Sequence, residues 1–276
     1  MTQVDFTIVT LSFNQGSFLK QAIDSVRFQN EKSWELIIID AGSIDGSREL
    51  IKEVATRDPR VKFIFEADSG PADGLNKGFE AAQGKIIGYL NSDDYYLKNI
   101  FSRVKKAFEE NKDCTCIYAH GLILENNLTR FQTSDNFSPR NYALRKGLVI
   151  QQSTFFSRER LNRSRVSFNV ENRITWDGEF LIDLALDHQK ILRVHDVWGV
   201  FRIYPESISG SGKYANLAEA EFKRIQKKII QDTNLTLLEI SINKSTRYLH
   251  SLKRRFLNIL FGQFLKKKWK SRYLND

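Results

Sequence analysis

The chain is expected to fold as an α/β protein built on a doubly wound, mainly parallel sheet with a helical, basic appendage at its C-terminal end. Three observations predict this. Over the first 120 residues, short β-branched or aromatic runs alternate regularly with helical patterns, which implies right-handed crossovers between parallel strands. The run from Ile86 to Leu90 is apolar throughout, as a strand buried on both faces should be, and it ends abruptly in Asp93 and Asp94. At 276 residues the chain can bury a sizeable core, which suits one large domain with an extension.

The expected strands are Phe6 to Leu11, Trp34 to Ile39, Val61 to Phe65, Ile86 to Leu90 and Thr115 to Tyr118. Between them, Ser17 can cap a helix with Phe18, Leu19, Ala22, Ile23 and Val26 on its apolar face. Ser47 can cap one built on Leu50, Ile51 and Val54. Two more helices fit Ala72 to Ala82 and Leu97 to Asn111. Further on, Ile191 to Arg202 reads as strand, followed by helical segments at Leu217 to Gln231 and Thr246 to Trp269.

In such a sheet, ligands bind where the strands end. The first strand runs into Ser12-Phe13-Asn14-Gln15-Gly16, the second into Asp40-Ala41-Gly42-Ser43, the third into Asp68-Ser69-Gly70-Pro71 and the fourth into Asn91-Ser92-Asp93-Asp94. Each is an ordinary turn by composition. Their convergence on one sheet edge makes them a candidate site, in which Asp40 can accept hydrogen bonds from a base or ribose. Adjacent carboxylates repel unless a cation or donors lie between them, so Asp93 and Asp94 either hold a hard divalent ion or cap the following helix. The first strand is not followed by Gly-x-Gly-x-x-Gly, nor by a phosphate loop ending in Gly-Lys-Ser, which disfavours a dinucleotide oxidoreductase and a P-loop enzyme.

The net charge is +9, and all of it resides in the tail: from Lys244 to Asp276 there are ten Lys or Arg and one acid. A nucleic-acid enzyme would carry its positive stripe on the folded domain, so no nucleic-acid partner is expected. The tail helix places Leu249, Leu252, Phe256 and Leu260 at helical spacing, with Leu257, Phe261 and Phe264 beside them. Its longest uncharged run, Phe256 to Leu265, is too short to span a bilayer. Basic residues interleaved with aromatics suit an anionic membrane surface, with docking on the catalytic domain or on a partner as competing readings. The segment starting at Met1 lacks the basic and apolar blocks of a signal peptide, so a cytoplasmic location, peripheral at the inner membrane face, is expected. The two cysteines, Cys114 and Cys116, read as a reduced, buried pair.

The stretches Thr7 to Asn14, Glu35 to Ser47, Ser69 to Phe79 and Gly84 to Asp94 resemble family 2 glycosyltransferases of GT-A fold. A weaker likeness continues through Gln151 to Phe156 and from Trp176-Asp177-Gly178-Glu179 to Arg202. The resemblance implies a GT-A domain over residues 1–212, with a donor-binding half (1–120), an acceptor half (121–212) and a helical extension (213–276). It implies a nucleotide-diphosphate sugar donor, UDP-linked in our reading, and a glycan or lipid-linked glycan acceptor in surface polysaccharide biosynthesis.

Residue by residue, the resemblance places Asp40 at the nucleobase or ribose with Thr10, Ser12 and Asn14 beside it, and Asp73 and Asn76 along the donor pocket. The family's Asp-x-Asp becomes Asn91-Ser92-Asp93, with Asp93 as principal ligand of Mg²⁺ or Mn²⁺ and Asp94 as orienting or second ligand. Asp177 is the expected base for an inverting displacement, Glu179 its substitute, and Arg202 the basic group that meets the diphosphate. Tyr204 stands where the family often has a histidine. His195, beside Asp196, is either an alternative to that histidine or a structural residue. The run Ser207 to Gly212 is either a loop that closes over the donor or a surface loop. Two other functions share these features: a non-catalytic nucleotide-sugar-binding module, and a metal-dependent nucleotidyltransferase.

Overall fold

The computed structural model describes residues 4–269, apart from the side chains of 237–238, 242–247 and 263–269. In chain order the main elements are β1 (Phe6–Ser12), α1 (Gly16–Arg27), β2 (Trp34–Asp40), α2 (Ser47–Arg57), β3 (Val61–Phe65), α3 (Pro71–Ala81), β4 (Ile86–Asn91), β5 (Tyr95–Tyr96) and α4 (Ile100–Glu110). There follow β6 (Cys116–Glu125), β7 (Leu128–Gln132), α5 (Pro139–Ala143), β8 (Thr154–Ser157), α6 (Arg158–Ser164), α7 (Trp176–Leu186), β9 (Ile191–Ile203), α8 (Ala215–Asp232) and α9 (Leu237–Trp269).

The strands form one sheet in the order β3-β2-β1-β4-β8-β6-β9-β5, with β7 paired to β6. The first four are parallel, which brings the ends of β1 to β4 to one edge, as the alternation of patterns predicts. β8 enters antiparallel between β4 and β6, and β6 and β9 are parallel again. β2 is buried along its whole length, whereas β3, at the sheet's edge, leaves Lys62 and Phe63 exposed.

Strand periodicity distributes the core over two faces. Phe6 and Ile8 of β1 and Leu36 and Ile38 of β2 pack with α1 and α4. Val9, Ile37 and Ile39 point the other way, against Leu75 of α3 and Phe180, Leu181 and Leu184 of α7. A third cluster joins Ala143, Ile182, Ile225, Ile229 and Leu235, so α8 packs onto α5 and α7. The proposed division at residue 212 therefore passes through a layer whose packing continues into α8.

Several boundaries differ from expectation. Gln15 rather than Ser17 precedes α1, and Gly46, with φ 90°, precedes α2. β6 extends seven residues past Tyr118, because β9 on one side and β7, which takes over from β8, on the other continue its ladder. α9 starts at Leu237, well before Thr246, and its Asn258 side chain accepts from the Thr133 amide (2.9 Å) and donates to Gln132 (3.3 Å) at the end of β7. Phe264 and Leu265 lie outside the described side chains, and Met1 to Gln3 and residues 270–276 outside the described residues.

Candidate active site

A cavity of about 1340 Å³ opens at the edge where β1 to β4 end. Its floor comes from the first-half loops: Leu11 to Gln15, Ala41, Asp68 to Pro71, Asn91 and Asp93. The facing wall comes from later segments, including Leu148 to Gln152, Arg173 to Asp177 and residues 204 and 206–209. Five expected site residues line it: Ser12, Asn14, Asn91, Asp93 and Asp177.

Asp40 lies just beneath this floor, fully buried. It accepts from Ser12 Oγ (2.9 Å), the Gly42 and Ser43 amides (3.0 and 2.9 Å) and Arg48 Nε (2.7 Å). Burial acts to raise its carboxyl, but the bonds from Ser43, Arg48 and Gly42 outweigh it and hold the group below its ordinary value. Asp40 thus organises the loop after β2, while Ser12 and Ala41 meet the cavity. Asn14, in left-handed backbone (φ 53°), clasps the same loop: its amide donates to Ser43 Oγ (2.9 Å) and its Oδ1 accepts from Ile44 N (2.9 Å).

The acidic turn separates its two carboxylates. Asp93 reaches the cavity, and its Oδ2 accepts from the Tyr204 hydroxyl (3.1 Å). Asp94 is buried behind it, accepting from the Arg202 amide (2.8 Å), Gln152 Nε2 (2.6 Å) and Asn91 Nδ2 (3.3 Å). Burial and then the charge of Asp93 push the Asp94 carboxyl well above the usual range. With both oxygens engaged by protein donors, Asp94 braces the turn. Arg202 is likewise turned away from the cavity. Its Nε donates to the Asp93 carbonyl (2.8 Å), an NH2 group donates to Gln21 (2.5 Å), and the guanidinium lies over the rings of Phe18 and Tyr95. Arg173 is the cation that lines the cavity among the described residues. It approaches so closely over Gly70 (φ 135°) that a Cβ there would sit 2.5 Å from its guanidinium.

Asp177 sits in the first turn of α7, half-buried against the cavity, and accepts from the Gly178 amide (2.8 Å). Burial raises its carboxyl above the ordinary value. The entry to α7 is held from a distance: Glu221 of α8 accepts from the Arg173, Ile174 and Thr175 amides at 2.6, 3.1 and 3.0 Å. Glu179, offered above as a substitute base, faces the other way. It is buried in a two-point ion pair with Arg224 (2.6 Å each) and accepts from Asn172 (2.7 Å) and Asn169. Burial opposes its ionisation, yet the bonds from Arg224, Asn172 and Asn169 hold its carboxyl low.

Thr10, Asp73 and Asn76 also stay out of the cavity wall. Thr10 is buried within β1; Asp73 accepts from the Ser69 amide (2.9 Å) at the start of α3; Asn76 exchanges two 2.9 Å bonds with the Phe168 backbone. His195 pairs with His120 (3.4 Å) and not with Asp196, whose carboxylate takes Arg103 and the Trp198 indole. Cys114 and Cys116 are buried thiols. Ser207, Ile208 and Ser209 do line the cavity, so the short Ser-Gly run is part of its wall. Sequence reasoning overlooked Phe13, Gln15, Arg173 and Glu221. The signals for Phe13 and Gln15 lay in the β1 loop itself, whereas Glu221 acts across 46 residues on Thr175 and left no local trace.

The profile for Glycosyl transferase family 2 matches residues 7–165, more than half the chain and all four donor-side loops. The chain belongs to that family. This glycosyltransferase is 31% identical over 114 residues to a putative teichuronic acid biosynthesis glycosyltransferase, TuaG, of Bacillus subtilis (strain 168), a match covering 41% of this chain and 44% of TuaG. It spans 38%, 68% and 44% of the length of the first three curated relatives it matches. Among solved structures, S. aureus TarS 1–349 in complex with UDP-GlcNAc superposes with a TM-score of 0.66 at 15% identity, over 86% of this chain and 69% of that one. The mannosyltransferase PcManGT from Pyrobaculum calidifontis, in complex with GDP-Man and Mn²⁺, gives 0.57 at 13% identity, covering 96% and 87%. These likenesses establish the GT-A fold expected from the sequence.

The family's use of divalent metal can be tested against the donor set. No group of three His, Cys, Asp or Glu among the described residues is arranged to hold a metal ion. At the end of β4 the cavity is lined by one carboxylate, Asp93, and one side-chain amide, Asn91. That set is too small for an all-protein cage but fits an ion such as Mg²⁺, which keeps waters and takes one or two carboxylates together with substrate phosphates.

Proposed function

We propose that this chain is an inverting, metal-dependent glycosyltransferase that moves a sugar from a UDP-sugar to a hydroxyl of a lipid-linked glycan in surface polysaccharide biosynthesis. The observation that carries this is a single cavity at the carboxyl ends of β1 to β4 with Asp93 in its floor and Asp177, raised by burial, in its wall. The UDP-GlcNAc complex of TarS and the named role of TuaG support the donor class and the pathway class.

In this reading the base and ribose lie over Ser12, Asn14 and Ala41, with the exposed ring of Phe13 offering a stacking face at the rim. Asn91 and Asp93 would hold Mn²⁺ or Mg²⁺, which when bound offsets the charge of the departing diphosphate. Arg173 adds a positive group on the opposite wall. Asp177 accepts the proton of the acceptor hydroxyl as its oxygen bonds to the anomeric carbon and the bond to the diphosphate breaks on the opposite side, which inverts that centre. A carboxyl raised by burial is, when ionised, a stronger base than an exposed one.

Two faces of α9 support a membrane-facing role. One face docks at the end of β7, where Asn258 bonds to Gln132 and Thr133 and Arg254 pairs with Asp135, while Leu249, Leu252, Phe256 and Ile259 are exposed together with Lys253 and Arg255. No described helix is long and apolar enough to cross a membrane. We read the outer face as lying on an anionic membrane, where a lipid-linked acceptor is presented, at the cytoplasmic side.

The test is calorimetric titration of UDP, GDP, dTDP and CMP with and without Mn²⁺, followed by donor consumption. The proposal expects Mn²⁺-dependent binding of UDP, lost in Asp93→Ala. It also expects turnover that is lost in Asp177→Asn while UDP binding persists. Binding with no turnover in the wild type would identify the non-catalytic module instead. No nucleotide binding would sink the donor-site reading.

A further inference from the structure

Three loops that are remote in sequence meet at the Asp93 carboxylate through one relay. Ser92 Oγ donates to Gln15 Oε1 (2.5 Å), Gln15 Nε2 donates to the Tyr204 hydroxyl (3.0 Å), and Tyr204 is 3.1 Å from Asp93 Oδ2. The direction of each bond is determined by its neighbours. The Gln15 carbonyl is occupied by the serine, so its amide N–H points to the phenol oxygen, and the single phenol proton is committed to Asp93. The ring that carries this hydroxyl is itself fixed. It packs against Phe18 (centroids 4.9 Å apart), and the strand end before it is clasped to the acidic turn by the Arg202 amide and guanidinium.

We propose that Tyr204 is a positioning residue that holds the Asp93 carboxylate toward a divalent cation bound with the donor diphosphate, acting through a hydrogen bond rather than as a ligand. The proposal rests on the donor-site reading above. A carboxylate at the cavity wall with one small amide beside it is free to rotate unless an outer partner holds it, and partners of this kind set metal affinity. Gln15 completes the device by fixing the phenol proton. Because Tyr204 opens the segment whose residues 206–209 line the cavity, the same bond ties that segment to the cation site.

The experiment measures Mn²⁺ binding to the full chain in the presence of UDP, by the loss of the free-ion paramagnetic signal, for wild type, Tyr204→Phe and Gln15→Ala. It is paired with donor turnover as a function of Mn²⁺. Tyr204→Phe keeps the ring on Phe18 and removes only the hydroxyl. It should weaken Mn²⁺ binding about tenfold and raise the Mn²⁺ concentration at half-maximal rate by a similar factor. Metal-free UDP binding and kcat at saturating Mn²⁺ should stay near wild type. Gln15→Ala should move Mn²⁺ binding the same way by less, and it carries the test if Tyr204→Phe does not fold. Unchanged Mn²⁺ affinity in both variants would overturn the proposal while leaving the donor site standing. A fall in kcat with no change in Mn²⁺ dependence would also overturn it. Absence of Mn²⁺-dependent UDP binding in the wild type would overturn the donor-site reading and this inference with it.

Discussion

At the scale of single residues, the molecule assigns different work to carboxylates that look alike in the sequence. Asp177 and Glu179 are two positions apart on α7, and a helix turns their side chains to different surroundings. Asp177 meets the cavity and is raised by burial; Glu179 meets Arg224 and is held low. Asp177→Asn should therefore lower kcat on the order of 10²–10⁴-fold without loss of UDP affinity. The sign of its stability effect also follows. A carboxyl whose folded value is raised above its unfolded one contributes stability when protonated, and that contribution is lost as pH rises through the folded value. Above that value the ionised Asp177 is thus a cost, and Asp177→Asn should melt at or above the wild-type temperature in calorimetry at alkaline pH. For the same reason, transfer should fall off on acidification at a pH above the ordinary carboxylate value. Asp93 and Asp94 diverge likewise. The pairing of two acids at a strand end was legible, but which of them reaches the cavity depends on Arg202, Gln152 and Tyr204, all more than 50 residues away.

At the scale of elements, the sheet edge was readable because buried parallel strands have continuous apolar runs and end in polar loops, as β1, β2 and β4 do. Ser12, Asn14, Asn91 and Asp93, in the loops at that edge, were accordingly expected at the site, whereas Asp177 was expected there only from the family resemblance; all five line the cavity. Asp73, Asn76 and Arg202 were also expected at the site but do not line the cavity, since helix position and strand register alone do not reveal whether a polar side chain turns outward or binds a neighbouring backbone. The role of α8 was also hidden, because its contribution is made through Glu221 and Arg224 to a distant helix start. Arg224→Met should leave Glu179 buried without its charge partner, destabilising the fold by about 3 kcal/mol; urea unfolding would measure this, with the KM for donor little changed. For α9, the expected outcome is salt-sensitive co-sedimentation with anionic but not neutral vesicles, reduced in Leu252→Asp/Phe256→Asp, two positions on its exposed face. Equal binding to both kinds of vesicle, or to neither, would remove the membrane from the proposal.

At the scale of the whole molecule, the packing runs across a boundary at residue 212. Ile225 and Ile229 complete a cluster with Ala143 and Ile182. A chain ending at 212 should therefore be insoluble or lack cooperative melting, whereas one ending at 236 should fold and bind nucleotide; circular dichroism melts of the two would decide. The pairing of β5 with β9 carries a further consequence, for assembly rather than for chemistry. Tyr95 and Tyr96 follow directly on the acidic turn, yet their strand partner is Gly199–Val200, and the Asp94 carboxylate closes on an amide 108 residues downstream. Contacts so distant in sequence form late, after their loop-closure entropy has been met. During synthesis, which proceeds from the N-terminus, the four parallel strands can be in place long before β9 emerges. The turn that carries Asp93 acquires its bracing only once nearly three quarters of the 276 residues have been made, so a nascent or interrupted chain has the sheet without a finished place for its ligand.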